Sequence, residues 1–190
     1  MATGLACHFV AMAGNNAWAN HRLLSACEAL SAEEFAAPRT GFFPSLRATF
    51  NHILWVDQFY IDALAGLDAL RRYSEPSPDF ADARLMRLAQ TASDRRLIAF
   101  CERQTDDALA KDCILPRPNR KPPPTAVAAV LEHLFQHQIH HRGQVHALLL
   151  QAGVAPPQLD EFFLAADAPR RAEELRRLGL DDPAPDARRS

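Results

Sequence analysis

Thr125–Ala152, TAVAAVLEHLFQHQIHHRGQVHALLLQA, is the stretch that decides the fold. Pro122–Pro124 precede it and Gly153 follows, so a proline-free segment stands between a start signal and a stop signal. Thr125 is positioned to cap its first turn. Within it, His133, His137 and His141 recur every four residues, and His140 follows His137 by three. That spacing puts them on one helical face, one turn apart. At about 100 degrees per residue, Val130, Leu134, Val145 and Leu148 fall within about 60 degrees of the line midway between His137 and His141. These two imidazoles therefore look into an apolar interior, where unpartnered polar groups are costly. His146 points elsewhere.

The same periodicity extends through the rest of the chain. Prolines cluster near Pro38–Pro44, Pro76–Pro78, Pro116–Pro124 and Pro156–Pro157 and divide the sequence into four long blocks. The first, about 5–30, carries Leu5, Phe9, Met12, Asn16, Ala19, Leu23, Ala26 and Leu30 at helical spacing. The second, about 45–70, shows two adjoining stripes: Leu46, Phe50, Ile53, Asp57, Tyr60, Leu64 and Leu67 beside Thr49, His52, Val56, Phe59 and Ala63. The third, about 79–110, is less regular. Its arginines, with Asp82, Asp94 and Glu102, read as a solvated face. A short helix is expected over Leu159–Ala166 and another from Pro169 to Gly179, with Asp181–Ser190 disordered. The chain thus divides into a bundle over 1–166 and an extension over 167–190.

Composition agrees with an all-α reading. There are 34 Ala and 24 Leu against 11 Ile plus Val, and only 7 Gly. Four long helices joined by loops make a four-helix bundle. A net charge of −2 lacks the basic footprint of a nucleic-acid binder. Arg117, Arg120 and Lys121 form only a small basic turn. Cys7, Cys27, Cys101 and Cys113 are scattered, with no CxxC pair, and read as reduced thiols. No apolar run approaches the ~20 residues of a membrane span, and no leader is visible. We expect a cytoplasmic protein with no membrane contact.

An HxxxH pair needs a third partner to hold a metal, and His52, also on an apolar stripe, is the candidate. The alternative is that each histidine is a hydrogen-bonded core residue or a surface one. Asn16 and Asp57 also interrupt apolar stripes. They either satisfy buried backbone groups or support metal-bound rings from behind.

His137-Gln138-Ile139-His140-His141-Arg142-Gly143-Gln144 resembles the HxxxHRGQ signature of the DinB family of DinB/YfiT-like metalloenzymes. Asn51-His52 with Asp57 resembles its NHxxxxD segment, and Asn16-Ala17-Trp18-Ala19-Asn20 its N-terminal YNxWAN element, with Asn15 where an aromatic residue is common. The resemblance spans about residues 5–165. It implies a DinB/YfiT-like bundle with short C-terminal helices and a divalent ion, zinc or nickel, held by His52, His137 and His141. His133 and His140 fall outside that triad. Gln144 joins Asn16 and Asp57 as a supporting residue, and Gly143 allows close helix packing.

The resemblance also implies a metal-dependent hydrolase or a thiol-dependent transferase or isomerase, acting on a small molecule or low-molecular-weight thiol. No catalytic residue stands out. The competing reading is a non-catalytic metal-binding stress-response protein, which a closed, fully protein-ligated ion would favour. DNA binding, raised only by the family's damage-inducible name, is opposed by the balanced charge. A homodimer is expected.

Overall fold

The computed structural model describes residues 4–75, 79–119 and 121–183. Four long helices make the body: α1 (Leu5–Cys27), α3 (Leu46–Leu64), α5 (Ala83–Glu102) and α7 (Val127–Gln151). Between them lie three short ones, α2 (Ala32–Ala36), α4 (Arg71–Ser74) and α6 (Asp106–Leu109), and α8 (Ala168–Leu178) closes the chain. The long helices adjoin in the cyclic order α1–α5–α3–α7, so α3 and α7 face each other directly. None of the described helices is long and apolar enough to cross a membrane.

Local chemistry explains most of the helix ends. Ser31 and Glu34 form a reciprocal capping box on α2, and Ser45, Asp82 and Thr105 each accept from a first-turn N–H of α3, α5 and α6. The start of α1 is capped from a distance, as Ala6 N–H donates to Asp106 Oδ1 at 2.8 Å.

Thr125 does not cap α7. Ala126 holds that position with no side-chain bond, and Thr125 is instead in a two-stranded antiparallel pair, β1 (Asp112–Cys113) with β2 (Thr125–Ala126). The ladder continues into the helix through Val127 N–H to Lys111 O at 2.9 Å, so backbone pairing does the work assigned to the hydroxyl.

The segment expected to be helical over Leu159–Ala166 is irregular up to a single 3-10 turn at Ala165–Asp167. Two other demands win there. Phe162 is buried against Trp18, with ring centroids 5.5 Å apart, and the fully buried Arg171 takes the Glu161 and Leu164 carbonyls that a helix would have used. Arg171 also donates to Asp182 at 2.7 Å, which ties down part of the tail expected to be disordered. Residues 184–190 of that tail lie outside the described residues. Trp18 Nε1–H donates to Glu174 at 2.7 Å, and Arg22 stacks 4.1 Å over the indole while bonding the same carboxylate. Helix α8 is thereby held against α1, and it ends as expected at Gly179 in the left-handed region (φ 69).

Gly143 does not serve close packing. It is exposed on α7, and a Cβ placed there would meet nothing within 4 Å. Gly143→Ala is expected to raise stability by about 0.5–1 kcal/mol in urea unfolding, because alanine loses less backbone entropy in a helix. A loss of stability would show that the residue is kept for packing. Asn15 and Gly143 both line a cavity of about 540 Å³, together with Ile139, His146, Leu159 and Phe162. Gly143 follows His141 by two residues, about 200 degrees around the helix, so this cavity lies away from the face that carries His137 and His141.

Candidate metal centre

The facing helices bring the three expected histidines together. His52 comes from α3 and His137 and His141 from α7, and one nitrogen from each ring lies within 4.8 Å of the others. His52 Nε2 and His137 Nε2 are 3.0 Å apart. The three ring centroids are 4.4 to 5.0 Å from one another.

Burial sets their charge. Desolvation, with His141 as a nearby like charge, lowers the pKa of His52 to about 4. Desolvation and the neighbouring rings lower that of His137 to about 3, and desolvation also lowers that of His141. Near neutral pH the rings are neutral and offer lone pairs. Two neutral imidazoles that point the same nitrogens at each other satisfy at most one hydrogen bond. His137 Nδ1 is moreover buried with no partner. A cation among the three nitrogens fits this donor set, since it uses lone pairs that no proton donor in the cluster can occupy together.

His141 is held from behind. Its Nδ1 meets Gln144 Oε1 at 2.8 Å, and Gln144 Nε2 donates to His140 Nε2 at 2.9 Å. A carboxamide oxygen accepts, so His141 carries its proton on Nδ1 and turns Nε2 toward the cluster. Gln144 thus bridges His141 and His140, and the His140 ring also lies directly against that of His141, with centroids 4.9 Å apart. His133, exposed and one turn before His137, stands outside the ligand group with its ring 5.4 Å from that of Tyr60.

Asn16 and Asp57 form no hydrogen bond to the three histidines. They belong to a buried polar layer that crosses all four long helices. Asp94 Oδ1 accepts from Asn16 at 3.1 Å, Asn20 at 3.0 Å and Gln90 at 3.1 Å. Gln90 also donates to Asp57 at 2.8 Å, and Arg142 donates to Asn16 Oδ1. Asp94, which reads from the sequence as part of a solvated face, is 4% exposed. The partners of Asp57 and Asn16 are side chains, neither backbone groups nor metal ligands. The sequence signal for this layer is the set of polar residues at inward positions, of which only Asn16 and Asp57 stand out in otherwise apolar stripes.

The layer holds two carboxyl groups and one guanidinium. Burial, then the neighbouring Asp94, raises the pKa of Asp57 to about 7, while burial raises that of Asp94 to about 6. The sign follows directly. A carboxyl group whose pKa is higher folded than unfolded contributes stability that is fully present below about 3.8 and is lost as pH rises through about 7. Asp57→Asn removes this dependence. Its stability relative to the parent protein is expected to rise between pH 4 and pH 7, at up to about 1.4 kcal/mol per pH unit. Paired urea titrations at pH 5 and pH 8 check this, and a difference independent of pH would refute it.

Sequence reasoning missed Phe43. Its ring lies 4.5 Å from His52 and 5.6 Å from His141, so it walls the cluster from the loop before α3. The paired Phe42 and Phe43 in a proline-bounded loop were the available signal. Arg117, read as part of a solvated turn, lies over Phe59 at 4.9 Å from the ring centre. Lys121 is exposed, as expected, and Arg120 lies outside the described residues.

Fold and cluster together define a helical bundle whose facing helices carry side chains able to hold a metal ion. The chain belongs to the DinB family, whose model matches residues 2–174. It is 26% identical over 155 residues to Protein DinB of Bacillus subtilis (strain 168), covering 76% of this chain and 86% of that one. Two solved structures share the fold, each with a TM-score of 0.57. One is a DinB-like protein from Bacillus cereus ATCC 10987, 17% identical, with 74% of this chain and 90% of that one covered. The other is the DinB-like protein YjoA from Bacillus subtilis, 15% identical, with coverage of 82% and 96%.

Proposed function

We propose that this protein is a metal-dependent enzyme that binds a divalent ion through His52, His137 and His141 and acts on a small molecule at the ion's open side. The observation that supports this best is the composition of the cluster. Three imidazoles converge, and among the described residues no fourth His, Cys, Asp or Glu joins them. Three protein ligands with an open position characterise catalytic sites, whereas structural sites are closed by a fourth ligand. An all-imidazole set of borderline softness suits zinc or nickel. When bound, the ion supplies Lewis acidity and lowers the pKa of a water or thiol.

The protein's own residues do the rest. Gln144 fixes the tautomer and orientation of His141, and Phe43 limits water on one side of the rings. Hydrolysis and thiol-dependent transfer or isomerisation both fit such a site. They separate in one experiment, in which zinc- or nickel-loaded protein is offered activated esters and epoxides with and without a low-molecular-weight thiol. Turnover only with the thiol assigns transfer, and turnover without it assigns hydrolysis. Stoichiometric metal with neither activity across the panel would favour the non-catalytic reading.

A further inference from the structure

Arg117 is a half-buried cation without a carboxylate partner among the described residues. Its Nη1 donates to Tyr73 Oη at 2.6 Å and its Nη2 to Tyr60 Oη at 3.4 Å, while its plane covers Phe59. Two phenols leave most of a guanidinium's five donors unused. The contrast within the same fold is clear. Arg72 and Arg96 both bond Asp62, at 2.9 Å and 2.5 Å.

The position of Arg117 relates it to the histidines. Phe59 follows His52 by seven residues on α3, a rise of about 10 Å. Tyr60, one of the two phenols, touches His133, which lies one turn before His137 on α7. Arg117 therefore sits on the same α3–α7 side of the bundle, roughly two helical turns from the histidine cluster. The surface between is aromatic: the half-buried Trp55 stacks on the buried Phe59 at 5.9 Å, and the exposed Tyr73 packs edge-on against both. An apolar wall with a reactive centre at one end and an uncompensated guanidinium at the other matches a molecule with a similar division.

We propose that Arg117 is an anion anchor, and that the substrate is a small molecule with an apolar middle and a carboxylate or similar oxyanion about 10 Å from its reacting group. The far end of that molecule rests on the metal reading above. Tyr60 and Tyr73 hold the guanidinium in place, and its free N–H groups receive the oxyanion, a geometry that suits bidentate recognition.

The test uses probes sized to that span. Zinc-loaded protein is titrated calorimetrically with suberic monohydroxamate, which carries a terminal carboxylate, and with 8-hydroxyoctanohydroxamate, which carries a hydroxyl group there. The carboxylate probe is expected to bind at least about 10-fold more tightly. Arg117→Gln should bring it down to the level of the hydroxyl probe, with hydroxyl-probe affinity and zinc content unchanged, and Arg117→Lys should keep part of the preference. Equal affinities in the parent protein, or equal weakening of both probes in Arg117→Gln, would overturn the anchor. Metal-free protein gives the independent reading with octanoate against octanol. A preference for octanoate that Arg117→Gln abolishes supports the anchor even where zinc fails to bind, a failure that counts against the metal reading alone. No preference there overturns the anchor.

Discussion

His137→Ala is expected to leave the purified protein with less than about a tenth of the metal bound by its parent, measured by elemental analysis after equilibration with zinc. Loss of a group that only supports a ligand typically costs 10–100-fold in affinity, and loss of a ligand costs more. His52→Ala and His141→Ala should behave alike. Gln144→Ala should fall between them and the parent, since it frees His141 to rotate without removing it. Stability gives a second reading. The metal-free parent already carries a buried His137 Nδ1 with no partner, so removing that ring should cost the metal-free fold little. Added metal should stabilise the parent by about 4 kcal/mol at a thousandfold excess over Kd and leave His137→Ala unmoved. Full metal occupancy in all three histidine variants would refute the site, and an equal stabilisation of His137→Ala would place the ion elsewhere.

Asp94→Ala should have the largest effect on the fold, a loss of about 3–5 kcal/mol in urea unfolding. One carboxylate oxygen receives three amides, from Asn16, Asn20 and Gln90. Its removal leaves those donors buried without an acceptor, and leaves Arg142, whose guanidinium burial already lowers to about 10, facing only Asp57. Against a total of 5–15 kcal/mol for a domain, that loss brings the protein close to unfolding. The double variant Asp94→Leu with Arg142→Met removes the charge along with its partner and is expected to be less damaged than Asp94→Ala alone. If the double variant is the worse of the two, the layer is not held by charge compensation. Arg142 directly follows His141 on α7, so Asp94→Ala should also weaken metal binding, by letting the helix that carries two of the three rings turn.

The sequence revealed the bundle because each long helix keeps its apolar stripe across several turns, and the prolines fall between the helices. It revealed the histidine cluster for a related reason: helical spacing reports which residues share a face, and both ends of the cluster lie on strongly apolar faces. Features that depend on contacts between distant segments were hidden. Thr125 had the chemistry of a cap, but it pairs instead with Cys113, a strand partner twelve residues back. Asp94 sits among arginines and looks solvated until α1 and α3 are packed against it. The Leu159–Ala166 segment has helical composition, yet burying Phe162 and Arg171 outweighs local propensity. Gly143 fits a motif whose packing reason is missing in this chain.

The cyclic order of the helices also affects how the protein is made. His52 and His137 are separated by 85 positions, and Trp18 waits for Glu174 across 156. During synthesis the α3 half of the cluster leaves the ribosome long before the α7 half, and the indole face of α1 stays uncovered until α8 has emerged. An ion held by all three rings could enter only after α7 has packed against α3. A nascent chain arrested before α8 would present Trp18 and Phe162 to the cell, which makes α8 the seal of that face against premature association.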